Sequence, residues 1–96
     1  MLMSEAQIST ASASRYLQQL CKHWSHKFPV EFTPESGTIP FSEDRRCEFS
    51  ASADALTMRI QAADEATLVR TQDVVIDPLK RFAFREDLGD VRWTRI

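Results

Sequence analysis

Ser14-Arg-Tyr-Leu-Gln-Gln-Leu-Cys-Lys-His-Trp-Ser-His-Lys-Phe28 is the stretch on which the fold turns. Leu17, Leu20, Cys21, Trp24 and Phe28 recur at the i, i+3, i+4, i+7 spacing of one helical face, with Tyr16 at its edge. The opposite side carries Arg15, Gln18, Gln19, Lys22, Ser25 and His26. Upstream, Thr10 and Ser12 offer hydroxyls for an N-cap. Downstream, Pro29 stops the helix, because the residue before a proline is pushed out of helical geometry. The spacing therefore predicts a helix over residues 12–27.

Around this helix the period changes to two. Ahead of it, residues 1–5 read as frayed and 6–10 as a short edge strand around Ile8. Behind it, Val30 and Phe32 alternate with polar neighbours, and Pro34-Glu-Ser-Gly37 signals a turn in which glycine takes a positive φ. Ile39 and Phe41 follow, with Pro40 marking an edge or irregular strand. Residues 42–46 form a charged loop. Cys47, Phe49 and Ala51 then alternate, as do Leu56, Met58, Ile60 and Ala62 after a turn at Ser52-Ala-Asp-Ala55. These runs describe an antiparallel meander with one apolar face.

Asp64 caps a second helix, with Leu68, Gln72, Val75, Ile76, Leu79, Phe82 and Ala83 inward. Pro78 predicts a kink, or a restart capped by Asp77. Leu88-Gly89-Asp90 ends the helical region, and a last strand over 91–95 turns Trp93 inward. The order (β)αββββαβ implies one α+β domain over 1–96: a two-layer sandwich, two helices on one face of a mostly antiparallel sheet of four to six strands. A crossover after the second helix gives the last strand one parallel neighbour. The expected core is Leu17, Leu20, Trp24, Phe32, Phe49, Met58, Ile60, Leu79 and Phe82.

Twelve basic residues against 14 acidic ones give a net charge of −2, which argues against nucleic acid as a partner. No apolar run is long enough to insert in a membrane, and the start lacks a signal-peptide pattern, so the expected location is the cytoplasm. Two cysteines read as buried free thiols, with a Cys21–Cys47 bridge as the alternative.

Cys21-Lys-His23-Trp-Ser-His26 invites a metal reading for iron or zinc. On a helix Cys21 and His23 point about 160° apart, whereas His23 and His26 converge within about 60° beside Gln19. Two imidazoles and an amide fall short of the four ligands of a structural zinc site, or three plus water of a catalytic one. A third ligand would have to come from Glu31, Cys47 or a carboxylate near Asp77. A Cys47–histidine nucleophile lacks a visible orienting group, and the carboxylate pairs Glu43-Asp44 and Glu86-Asp87 read as solvated. Phe84, beside Arg81 and Arg85, falls on the outer flank of the second helix. It marks a partner surface or folds back onto the last strand.

Tyr16–Phe28 with Val30-Glu-Phe32, and Asp73-Val-Val-Ile-Asp77 with Leu79-Lys-Arg-Phe-Ala-Phe-Arg-Glu86, closely resemble the two signatures of bacterial domain-of-unknown-function family 2218 (DUF2218). The resemblance covers essentially the whole chain. It implies a small bacterial protein related to domains joined to siderophore-interacting flavoproteins, hence iron acquisition. Some members carry the name of a dihydroxyheptenedioate aldolase, a larger barrel enzyme whose carboxylate–histidine metal site does not fit here. By position, the family pattern points to His23, His26, Arg81, Phe82 and Arg85 as surface positions. It commonly has a histidine where this chain has Pro78.

The reading leans away from an enzyme and toward an accessory or binding domain in iron or siderophore handling, partnered by a siderophore-interacting reductase or another protein. Its candidate ligand or partner surface is His23, His26, Gln19, Arg81, Phe84 and Arg85. The alternatives are a small metal- or Cys-dependent enzyme using His23, His26 and Cys47, and a structural module that forms a homodimer through the outer sheet face or an edge strand.

Overall fold

In the computed structural model, which describes all residues except Asp87 and Asp90, the elements run β1 (Leu2–Ser9), α1 (Ala13–Trp24), β2 (Glu31–Phe32), β3 (Ser36–Ser42), β4 (Arg45–Ala51), β5 (Ala55–Ala62), α2 (Glu65–Phe82) and β6 (Thr94–Arg95). Among the described residues this is the expected α+β sandwich, two helices on a six-stranded sheet of order β2-β3-β4-β5-β1-β6. The inward residues alternate as the period of two requires: Cys47 and Phe49 on β4, and Leu56, Met58, Ile60 and Ala62 on β5. Against them α1 presses Leu17, Leu20 and Cys21, each with no solvent exposure.

Several expectations give way to long-range pairing. Residues 2–5 are not frayed, and β1 is not an edge: it pairs with β5 along its full length from Leu2↔Ala62 to Ser9↔Ala55. Every paired neighbour is antiparallel, β6 included. The crossover through α2 does occur, but it steps over β1, which separates β6 from its parallel mate β5. Buried Ser4 on β1 is satisfied by Gln72 Nε2, which donates to Ser4 Oγ at 2.9 Å.

α1 ends at Trp24, three residues short of the expected limit. The amides of Lys27 and Phe28 both donate to the Trp24 carbonyl in a tight turn ahead of Pro29. That turn brings Phe28 against Phe41 at 5.1 Å between ring centroids, and Trp24 meets Phe41 edge-on at 5.2 Å. Of the expected core, Phe32 is 36% exposed on the two-residue edge strand β2, and Trp24 and Phe82 are half-buried. Trp93 packs against the core from just before β6.

Asp64 caps α2 as expected, accepting the Thr67 amide at 2.8 Å. α2 neither stops nor restarts at Pro78 but runs to Phe82, short of the Leu88–Asp90 limit, of which Asp90 is outside the described residues. Pro78 costs one intrahelical hydrogen bond. Val75, Ile76 and Leu79, all buried on the inner stripe, hold both sides of the break against the sheet. Buried Thr71 joins that stripe where the expectation had Gln72, its hydroxyl donating to the Thr67 carbonyl.

Gly37 has a different role from the expected one. The turn closes at Thr33–Ser36, where Thr33 Oγ1 accepts the amides of Glu35 and Ser36, and Gly37 lies within β3 opposite Phe49. A Cβ at position 37 would lie 2.6 Å from Cys21 Sγ. Glycine is needed there to let α1 approach the sheet. Among the described residues the glycine with positive φ is Gly89, at 69°.

Candidate functional site

The sequence nominated six surface positions, and the fold gathers three of them. Gln19 from α1 and Phe84 and Arg85 from the turn after α2 line one groove of about 460 Å³, together with Arg15, Tyr16 and Glu86. Phe84 is 74% exposed, so it projects outward and does not fold back onto the last strand. The guanidinium of Arg85 lies over its ring, 5.2 Å from the centroid, and that of Arg15 lies over Tyr16 at 5.4 Å. Gln19 Oε1 is buried without a hydrogen-bond partner. On its other side Phe84 borders a second hollow of about 240 Å³, lined by Leu79, Leu88 and Val91.

His23, His26 and Arg81 are exposed and stay outside the groove lining. His23 sits edge-on to Trp24 and Phe82, at 4.8 and 5.9 Å, which places it beside the end of α2. Among the described residues no three of His, Cys, Asp and Glu come together as a metal cluster. Cys47 is sealed in the core while both imidazoles face solvent, so the proposed Cys47–histidine pairing is not formed. Pro78, the position considered for a third imidazole, is itself buried.

Both cysteines are free thiols. Burial pushes the Cys21 thiol up to about 11, and burial pushes Cys47 well above its ordinary range, with Cys21 and Glu48 adding to the effect. A nucleophile needs the thiolate. Neither thiol supplies one near neutral pH. The outer sheet face, the surface a dimerising module would use, carries charge that is already paired: Arg59 with Glu5 at 2.7 Å and Arg46 with Glu48 at 3.0 Å. Exposed pairs of this kind contribute little to stability.

Two groove residues escaped the sequence reading. Tyr16 is 2% exposed, and its hydroxyl donates to Glu86 Oε1 at 2.5 Å; Thr10 Oγ1 donates to the same oxygen at 3.0 Å. Thr10 thus does not cap α1. Its hydroxyl accepts the Ser12 amide and reaches Glu86, while Ser12 occupies the cap position. The signal for Tyr16 was present, since a tyrosine at the edge of an apolar stripe needs a partner for its hydroxyl. Glu86 gave none: a carboxylate after a helix reads as solvated until the turn carries it back.

The staple has a measurable pH signature. Hydrogen bonds from Tyr16 and Thr10 hold the Glu86 carboxyl below its ordinary value of 4.5, and the Glu86 carboxylate raises the Tyr16 phenol. A depressed folded-state pKa adds stability that is complete above the ordinary carboxylate range and is lost as pH falls through the folded value. Tyr16→Phe should therefore lower stability at neutral pH. It should also flatten the acid limb of thermal stability measured against pH. Parallel acid limbs for the two proteins would count against the staple.

The DUF2218 sequence profile, described as an uncharacterized protein conserved in bacteria, matches residues 5–94. The chain is a DUF2218 domain. The NMR structure of PA4090 from Pseudomonas aeruginosa has the same fold, with a TM-score of 0.82 and 45% identity over 98% of this chain and 96% of that one. No curated protein matches the sequence. Among the described residues, no helix of this DUF2218 domain is long and apolar enough to cross a membrane.

Proposed function

We propose that this DUF2218 domain is a binding or accessory module in iron or siderophore handling, which docks on a siderophore-interacting reductase through the groove around Phe84. One observation carries the docking role: Gln19 on α1 and the neighbouring pair Phe84 and Arg85 after α2, distant from it in sequence, meet at one groove with the phenylalanine 74% exposed. Aromatic and arginine side chains are the commonest anchors of protein interfaces. The iron context is supported by the sequence resemblance to domains joined to siderophore-interacting flavoproteins. High thiol pKa values and the separation of Cys47 from the imidazoles favour a binding role over a Cys-dependent enzyme.

Adding a purified siderophore-interacting flavin reductase to the 15N-labelled domain tests this directly. The amide resonances of Gln19, Phe84 and Arg85 should move. Phe84→Ala should weaken the contact about tenfold, as expected for loss of an aromatic anchor. No perturbation, or one confined to the open sheet face, would overturn the docking role. Ferrous, ferric and zinc ions added separately should leave the His23 and His26 ring resonances in place below millimolar concentration. A response there would restore metal chemistry to the histidine face.

A further inference from the structure

We infer that the Phe84 surface is shaped for an acidic segment of a partner protein, one that presents carboxylates around an apolar anchor. This rests on the docking role proposed above and specifies the chemistry of what docks. The chain as a whole carries a net charge of −2, yet residues 6–30 contain no aspartate or glutamate and carry Arg15, Lys22 and Lys27. Arg15, Gln19 and Lys22 fall at i, i+4 and i+7 on one outer stripe of α1, and exposed His26 lies in the turn that follows it. Lys80, Arg81 and Arg85 are exposed at the end of α2 and the turn after it. Along α1 the cations have no acidic neighbour in the sequence, whereas the sequence at the α2 end alternates them with Asp77, Glu86, Asp87 and Asp90.

These cations are available to a partner. Among the described residues the ion pairs are Arg46–Glu48, Arg59–Glu5 and Arg95–Glu65, none of which involves Arg15, Arg81 or Arg85. Glu86, the carboxylate on the groove, is engaged by Tyr16 and Thr10. Of the acids on the outer side of α2, Asp73 lies two turns before Arg81, and Asp77 is its i, i+4 neighbour without forming an ion pair with it. Arg15 and Arg85 each lie over an aromatic ring; Arg15 also donates to Ser12 Oγ at 3.3 Å and faces Glu86, which leaves Arg85 the freer of the two to meet carboxylates.

A protein segment fits better than a small molecule because of how Phe84 stands. A small-molecule site encloses most of its ligand. Phe84 instead rises between two shallow hollows with 74% of its surface in solvent, a knob for a partner surface to close over. Gln19 Oε1, a buried acceptor with no partner, would take a donor from the same segment.

The test uses the full chain and three synthetic peptides. One is an amphipathic helix with leucine and phenylalanine on one face and glutamate on the other; the second has lysine for every glutamate; the third keeps the glutamates but has serine on the apolar face. Affinity is read by fluorescence anisotropy at low and high salt, and location by amide shifts. The first peptide should perturb Arg15, Gln19, Phe84 and Arg85, bind at least about tenfold more tightly than either control, and weaken with salt. Arg85→Glu should shift preference toward the lysine peptide, and Phe84→Ala should weaken binding about tenfold while leaving the melting midpoint unchanged.

Equal affinity for the glutamate and lysine peptides, shifts confined to the open sheet face, or the same shifts from benzoate or a ferric tris-catecholate alone would overturn the inference. The two proposals fail separately. Reductase binding that needs Phe84 but ignores Arg85→Glu would remove the acidic partner and leave the docking role intact. Loss of both would remove both.

Discussion

Leu20→Ala should remove about 3 kcal/mol of folding stability. Leu20 has no solvent exposure and lies on the face of α1 that covers β3, β4 and β5. Truncation forfeits the transfer energy of the missing carbons and leaves a cavity that close-packed neighbours fill only in part. A domain of this size is stable by about 5–15 kcal/mol, so such a loss is a large fraction of the whole. In urea the midpoint should fall while the slope stays the same. On the opposite side of the same helix, exposed Lys22 should tolerate alanine within about 0.5 kcal/mol. Similar losses at the two positions would mean that α1 does not lie on the sheet as described.

Gly37→Ala should destabilise by about 2 kcal/mol through overpacking, although the position lies inside a strand where alanine ordinarily helps. Stiffening the unfolded chain favours the variant by about 0.4–1 kcal/mol. Against that, the new Cβ would lie 2.6 Å from Cys21 Sγ and 3.2 Å from Phe32 Cβ, both closer than ordinary carbon contacts. Cys21 cannot swing far: its sulfur is one bond from a helical Cβ, and the residue is fully buried. Steric conflict therefore outweighs the entropy. Cys21→Ala removes the obstructing sulfur, so the double variant should recover at least half of the Gly37→Ala loss, a coupling of about 1 kcal/mol or more in the double-mutant cycle. Additive losses would show that the glycine serves some purpose other than the approach of α1.

These two positions differ in what could be read from the chain. Leu20 was identifiable because a stripe at helical spacing is a local property, and the same holds for the alternating cores of β4 and β5. The Asp64 cap was equally local. Gly37 was assigned to a turn because proline and glycine three apart suggest one, yet its need for a missing side chain comes from a helix 16 residues earlier. Pro78 read as a kink or a restart, and the restart does not occur. The proline costs about 3 kcal/mol in an isolated helix, but buried residues on both sides keep α2 continuous. Phe32 was placed inside by alternation alone, which cannot tell that its strand is two residues long and at the edge.

The candidate site divides in the same way. Gln19, Phe84 and Arg85 stood out as polar or aromatic residues on outward faces, but nothing along the chain joined Gln19 to the other two. They meet because α1 packs beside α2 and the turn after it, a junction spanned by the Tyr16–Glu86 hydrogen bond between residues 70 positions apart. The histidines, the more conspicuous chemistry in the sequence, lie outside that groove.

Sequence by itself determined the family, the order βαββββαβ, and which side chains share a face, because periodicity acts over a few neighbouring residues. Tertiary structure alone decided that β1 separates β5 from β6, that α1 comes down onto Gly37, and that Glu86 returns to Tyr16. Each of those is a contact between distant segments. It forms only because closing the intervening chain costs less free energy than apolar burial and satisfied polar groups return.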